Sequence, residues 1–430
     1  MNRATNLNAK SDLQGRGEEF VAFPLSPAQE RIWRLSIDSP SSTIYNGAFR
    51  INLDGRVDPG TLEETLNEIA ARHEVLRATI EFINGEPVQV IAPSLPLRLS
   101  FKDLSTLSPA ARDIEFDRLS AEEAQTPFDL AKGPLLRVAL IRVEDQRFVL
   151  LLTVHQVICD GWSIGLIMEE LQKIYGAFAA HAASPMAPLS LQFADYVIWQ
   201  QQCLARPEAA EQLSYWKRKL RRCRRLEVRP DFAEANRAVA DAAIVSQLLP
   251  KELTDKLRDF SNAQGGTFFI TTLAACLTLL HRYTGEEDLA VGSPLAGRSR
   301  AELEALVGQF VNHVVFRTDA SSDPAFSEFV GRVRETVWEA FSNQDVPFEH
   351  VLKALRPGHD PYKEPFFVVN FICQREYGRA AAFHFDFNGV RMSTLPSKTQ
   401  GALYDLNFFL VEREAGWRLS VEYKTSLFRE

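Results

Sequence analysis

Residues 150–163, Leu-Leu-Leu-Thr-Val-His-Gln-Val-Ile-Cys-Asp-Gly-Trp-Ser, constrain the fold more than any other stretch. The continuous apolar run suits a strand buried on both faces, expected over Phe148–Ile158. Two polar side chains, His155 and Gln156, interrupt its end. Asp160 and Gly161 follow, then Trp162 and Ser163. A helical pattern starts there, with Ile167, Leu171, Ile174 and Phe178 on one face. A buried strand that ends in polar residues and turns into a helix holds reactive groups rigidly at a cleft.

The rest of the chain supplies walls for that point. Ser26 and Pro27 read as the N-cap and first position of a helix, and Asp58-Pro59 opens a second. Residues 78–91 read as a hairpin around Asn84-Gly85. A long amphipathic stretch covers about residues 190–222 and ends in Lys217-Arg218-Lys219 and Arg221-Arg222-Cys223-Arg224-Arg225. Periodicity fades over 223–240, which is expected to be an inter-lobe linker. Residues 20–222 would then form an N-terminal lobe and 241–430 a C-terminal lobe, with 1–19 a polar leader or linker. Thr267–Tyr283 is apolar nearly all round and is expected to be a buried core helix. A strand is expected over Val307–Arg317. The second half shows the same mixture of elements without detectable sequence repetition. Irregularly mixed strands and helices predict an α+β (mixed α/β) fold in two lobes.

Composition narrows the functional classes. A net charge of −8 argues against nucleic-acid binding. No 18-residue apolar run predicts a membrane span. The cysteines, Cys159, Cys203, Cys223, Cys276 and Cys373, have no paired spacing, so neither a metal site nor a disulfide framework is expected, and a reducing cytoplasm is the natural compartment.

Several ordered motifs now point to a family. They are Ser26-Pro27-Ala28-Gln29-Glu30-Arg31, Arg72-His73-Glu74-Val75-Leu76-Arg77, His155-Gln156-Val157-Ile158-Cys159-Asp160-Gly161, and Phe193-Ala194-Asp195-Tyr196-Val197-Ile198-Trp199. Gly292–Arg298, Val307–Asn312 and Asn343–Glu349 complete the set. Together they resemble the condensation domain of nonribosomal peptide synthetases, in the superfamily that includes chloramphenicol acetyltransferase, over roughly residues 22–428. The resemblance implies two chloramphenicol acetyltransferase-like lobes in a V with a central channel. It also implies one more helix after Phe428, so that the final helix would be truncated here. Donor and acceptor peptidyl carrier proteins would bring substrates on phosphopantetheine, the domain itself binding no cofactor and no metal. Neighbouring synthetase domains are the other expected partners, and the isolated domain is expected to be a monomer.

The resemblance also assigns roles. His155-Gln156 stands where the family has two histidines. The first is implied to pack inward and orient the loop, and the second to face the substrates, consistent with alternation along a strand. A glutamine cannot accept a proton near neutrality, but it can hydrogen-bond to an oxyanion or to the amine. On its own, His155 reads as a satisfied core histidine. Asp160 has two readings, a helix N-cap and, preferred by family analogy, a buried ion pair with Arg298. Gly161 is implied to leave space for a pantetheine arm. Trp162, Ser163, Arg298 and Asn312 are assigned to structural support, and His313 and Gln309 to the substrate channel. Cys159 reads as a small buried residue, Arg72 and His73 as helix packing, and Phe193, Tyr196 and Trp199 as core. The basic segment Lys217–Arg225 reads as a solvated helix end, with docking of an acidic carrier protein as the functional alternative.

The expected function is therefore amide formation between a carrier-bound thioester and a carrier-bound amine, with proton chemistry altered by Gln156. The alternative is a condensation-like domain without catalysis that docks a tailoring enzyme or carrier protein. A further alternative is another modification of a tethered chain. Heterocyclisation fails because that domain has an aspartate where His155 sits, and epimerisation because its C-terminal motifs are not found.

Overall fold

The computed structural model describes residues 20–232, 236, 240–358, 360, 365–374, 385–387, 389–394, 401–413 and 415–430. The expected leader, residues 1–19, lies outside them. The strands are β1 Val21–Pro24, β2 Asn46–Asp54, β3 Ala78–Ile83, β4 Glu86–Ile91, β5 Leu99–Asp103, β6 Leu136–Glu144, β7 Arg147–His155, β8 Ala242–Pro250, β9 Asp288–Leu295, β10 Asn312–Asp319, β11 Val369–Gln374, β12 Phe385–Phe387, β13 Val390–Thr394, β14 Leu406–Arg413 and β15 Gly416–Lys424. The α-helices are α1 Pro27–Asp38, α2 Pro59–Arg72, α3 Pro109–Gln125, α4 Gly161–Ala179, α5 Phe193–Leu204, α6 Pro207–Lys219, α7 Lys251–Ala263, α8 Phe268–Thr284, α9 Phe326–Ser342 and α10 Phe348–Leu355.

Two compact units result. The first gathers the described residues of Met1–Gln202, Arg298–Phe310 and Tyr377–Lys398. Its six-stranded sheet runs β12-β13-β2-β7-β6-β5, with a smaller sheet β1-β4-β3. The apolar run is β7, buried at every residue from Phe148 to His155 and flanked by β2 and β6, both antiparallel to it. The second unit gathers Cys203–Gly297, Val311–Glu376 and Thr399–Glu430, around a sheet ordered β10-β9-β11-β14-β15-β8. The mixed α/β class is as expected.

This division differs from the expected lobes 20–222 and 241–430. β13 crosses back to pair with β2, Arg391 opposite Asp54, so a late segment completes the first sheet. The expected linker 223–240 is anchored where described. Leu226 and Val228 are each 2 % exposed and join Trp216 and Leu220 in the core of the second unit. Fading periodicity marked an irregular segment, but two buried side chains bind it to the unit that follows.

Other departures have local causes. The stretch 190–222 holds two helices, because Pro207 begins a new one at its first position. The strand expected at Val307–Arg317 starts only at Asn312. Helix α8 is capped by Thr267 and closed by Gly285 at φ 74° as expected for a core helix. It is not buried all round, since Leu279 and Tyr283 are exposed. Among the described residues no single helix is long and apolar enough to cross a membrane, although α7 and α8 pass by length and composition as a pair bent by 102°.

A short repetition does link the two halves. Asn46 opens β2 and donates through Nδ2 to the carbonyls of Ala124 (2.9 Å) and Thr126 (3.0 Å), just before Pro127-Phe128-Asp129. Asn312 opens β10 and donates to Gln344 (2.8 Å) and Val346 (3.0 Å), just before Pro347-Phe348-Glu349. The residue opposite Asn46 on the neighbouring strand is His155; the one opposite Asn312 is Leu295. Only the first unit thus carries an imidazole at this position of the motif.

Candidate active site at the end of β7

Alternation along a strand does not separate His155 from Gln156, because β7 ends at His155 and residues 156–158 form a turn. The side chains still diverge. His155 is 4 % exposed, and its ring meets the Phe128 ring edge-on at 5.9 Å and the Tyr45 ring at 6.2 Å. Its Nδ1 accepts the backbone N–H of Val157 at 3.2 Å, which fixes the turn and requires the Nε2–H tautomer. Burial pushes its pKa from the ordinary 6.5 down to about 3. His155 is therefore a neutral positioning group.

That neutrality makes stability pH-dependent. The unfolded chain binds a proton at His155 near pH 6.5 and the folded one does not, so stability is full above 6.5 and declines as pH falls towards 3. The expected slope is about 1.4 kcal/mol per pH unit for one proton. Urea unfolding midpoints between pH 6.5 and 5 should fall accordingly. His155→Asn, whose Oδ1 can take the same N–H, should flatten that part of the curve.

Gln156 is partly exposed. Its backbone N–H donates to Tyr45 O at 2.9 Å, and its side-chain amide makes no hydrogen bond among the described residues. The turn is held from a distant motif. Gln29 completes a capping box with Ser26 and, fully buried, donates through Nε2 to Val157 O at 3.0 Å. Sequence reasoning did not assign Gln29 to the site; its capping-box spacing signalled only a helix start.

The two readings of Asp160 are both realised. Oδ1 caps α4 by accepting Ser163 N–H at 2.9 Å, and Ser163 Oγ lies 2.7 Å from it. Arg298 donates through both terminal nitrogens, at 2.8 and 3.1 Å, and Phe310 N–H donates to Oδ2 at 3.1 Å. Both charged side chains are 1 % exposed. Arg298 also donates to Ser163 Oγ and Leu306 O, and its guanidinium lies over the Phe310 ring at 4.1 Å. A buried carboxylate with this many donors is satisfied.

Ser163 also accepts Gly308 N–H at 3.0 Å, and Trp162 Nε1 donates to Glu304 O at 3.0 Å. Gly308 is required sterically, since an added Cβ would stand 2.1 Å from the Phe193 ring. Phe193 and Tyr196 in turn pack on Phe310, with centroids 4.9 and 4.5 Å away. Gly161 is different. A Cβ there would meet nothing within 4 Å, so neither packing nor backbone demands glycine.

Arg72 and His73 converge on Glu170 of α4, Arg72 at 3.0 Å and His73 Nε2 at 3.1 Å. Burial alone would raise the Glu170 pKa, but the His73 and Arg72 hydrogen bonds outweigh it and hold the group at about 2. The second motif thus braces α2 against α4. Burial, together with the neighbouring Asp160, pushes the Cys159 thiol well up, leaving it no nucleophile.

Asn312 and His313 belong to the second unit. Asn312 binds the turn before α10, also accepting Phe348 N–H at 3.0 Å. His313 Nε2 lies 3.1 Å from Tyr404 Oη. Gln309, assigned from sequence to the channel, is 6 % exposed and belongs to the first unit.

Known proteins resemble this chain in sequence and fold. The family model for the condensation domain matches residues 21–430. A linear gramicidin synthase of Brevibacillus parabrevis is 40 % identical over 416 residues, which cover 95 % of this chain but 8 % of that protein. The X-domain from teicoplanin biosynthesis, solved in complex with OxyB, superimposes with a TM-score of 0.82 at 30 % identity over 95 % of this chain and 89 % of that one. The first condensation domain of the calcium-dependent antibiotic synthetase, in complex with a substrate analogue, gives 0.79 over 95 % and 92 %; at 23 % identity that likeness speaks for the fold alone. The chain spans less than a tenth of its gramicidin synthase relative. With the family model matched from β1 to the last residue, the chain belongs to the condensation domains of nonribosomal peptide synthetases.

Proposed function

We propose that this domain forms an amide between an acyl thioester and an amine, each delivered on the phosphopantetheine of a carrier domain, and that Gln156 acts by hydrogen bonding alone. The amine nitrogen attacks the thioester carbonyl. The C–N bond forms, the C–S bond breaks, and pantetheine leaves as a thiolate that takes its proton from solvent. Gln156 can steady the oxyanion or the amine. The surplus ammonium proton must go to solvent, because neither Gln156 nor the neutral His155 takes it.

One observation supports this most: Asp160 is held by both terminal nitrogens of Arg298 and by Ser163 at the start of the helix whose first residue, Gly161, has nothing within 4 Å of an added Cβ, and the part-exposed Gln156 lies in the turn just before it. Such a frame serves a site that must stay in register. The five free cysteines fit work in a reducing cytoplasm. The decisive experiment loads donor and acceptor carriers, adds the chain and follows the product by intact mass spectrometry.

Gly161 offers a separate check. Gly161→Leu should leave the unfolding free energy within about 0.5 kcal/mol of wild type. If that space admits the pantetheine arm, product formation should fall by roughly 100-fold. A variant that turns over normally would refute this use of Gly161.

A second reading, a platform without catalysis that docks a tailoring enzyme, is favoured by the similarity to an X-domain solved with OxyB. It expects no product from wild type or from Gln156→His, together with measurable binding of such an enzyme.

A further inference from the structure

We propose that this chain pairs with a second copy of itself along β8, antiparallel, so that the six-stranded sheets of the two second units run on into one another. Such a dimer replaces the monomer expected from the family resemblance, and it does not depend on the catalytic reading.

An edge strand exposes unpaired backbone N–H and C=O groups, and proteins blunt such edges with charge, proline, bulges or short length. Every other edge strand among the described residues is blunted. β10 carries Arg317 and Asp319, β5 Lys102 and Asp103, β12 Asp386 and β3 Glu81, while β1 has four residues and ends in Pro24. β8 differs. It reads Ala-Ala-Ile-Val-Ser-Gln-Leu-Leu-Pro, uncharged, with proline only at its last position. It pairs with β15 over nine residues without a bulge, and among the described residues no strand pairs with its other edge. Ile244, Val245 and Leu248 are 41, 43 and 47 % exposed. Alternation puts Ile244 and Leu248 on one face and Val245 on the other.

The strand is its own complement. Residues directly opposite each other in an antiparallel pair share a face. A two-fold axis through Ser246 therefore sets Ile244 against Leu248 of the other copy, and Val245 against its Gln247. The same register sets Asp241, just before the strand, against Lys251, just after it, at both ends. Asp241 is exposed, and the Lys251 side chain is 63 % exposed beside Asp255 of its own helix. A two-residue shift parts these charges and sets Ile244 against Ser246 or Pro250. A one-residue shift turns one copy's side chains to the opposite face. The joint match of charge and apolar side chains favours a copy of this chain over an unrelated strand. The pairing also closes, because it uses both uncharged edges and leaves the charged β10 edges at the ends of the joined sheet.

The test is sedimentation velocity of the full chain over about 1–100 μM, the range of small interfaces. The dimer fraction should rise with concentration. Ile244→Lys and Leu248→Lys, both at exposed positions, should each raise the dissociation constant by at least about tenfold. Asp241→Lys should raise it by about two- to fivefold, and adding Lys251→Asp should restore it. Ser246→Cys should close a disulfide between copies on mild oxidation, since opposite Cα atoms lie about 4.5–5.5 Å apart. Gln247→Cys, which faces Val245 of the other copy, should not. A monomer at every concentration, a dimer indifferent to Ile244→Lys and Leu248→Lys, or a cysteine at 247 that cross-links as readily as one at 246 would overturn the proposal.

Discussion

Gln156→His is expected to raise the single-turnover rate of amide formation by roughly 10²–10⁴-fold, the usual worth of a positioned acid or base. The change puts a group with an ordinary pKa near 6.5 where a non-titrating amide now stands. The surroundings are ready for it. The Gln156 side chain has no hydrogen bond to lose among the described residues, and its backbone is fixed through Tyr45 O. His155 keeps its own task of accepting Val157 N–H, so the two imidazoles would not exchange roles. The gain should appear in the chemical step, with carrier affinity unchanged. Equal rates in the two proteins would mean that proton transfer does not limit this domain.

Arg298→Met should be the most damaging change outside that position, costing about 3–5 kcal/mol of stability. Most of the loss comes from what remains. Asp160 would be left at 1 % exposure with the Ser163 cap and Phe310 N–H but no cation. Adding Asp160→Asn removes the stranded charge and should recover part of the loss, whereas independent contributions would add. Urea midpoints of the two singles and the double measure this. A double variant as unstable as the sum of the singles would show that the pair is not coupled.

Much of the site was legible because its local chemistry is concentrated in short motifs. Asp160 before a helix announces a cap, and a doubly apolar run ending in His155-Gln156 announces a buried strand with a polar exit. The ion pair to Arg298 came only through family resemblance, since nothing in residue spacing connects positions 138 apart. Gln29 stayed hidden for the same reason, its bond to Val157 O spanning 128 residues. The interleaving of the units was illegible because strand pairing is non-local, and β13 carries no mark that it completes a sheet begun at β2. The Asn46 and Asn312 repetition is too short to stand out in sequence, since it consists of one amide and a Pro-Phe-acid triplet. The end of β7 was misplaced by three residues because Val157 and Ile158 are apolar yet sit in a buried turn rather than a strand.

The most direct measurement is the pH dependence of amide formation by the wild-type chain with loaded donor and acceptor carriers. With Gln156 acting by hydrogen bonding alone, the rate should rise tenfold per pH unit up to the pKa of the acceptor amine, about 8 for an α-amino group, with no inflection near 6.5. An enzyme-borne inflection near 6.5, or no amide product at any pH, would contradict it.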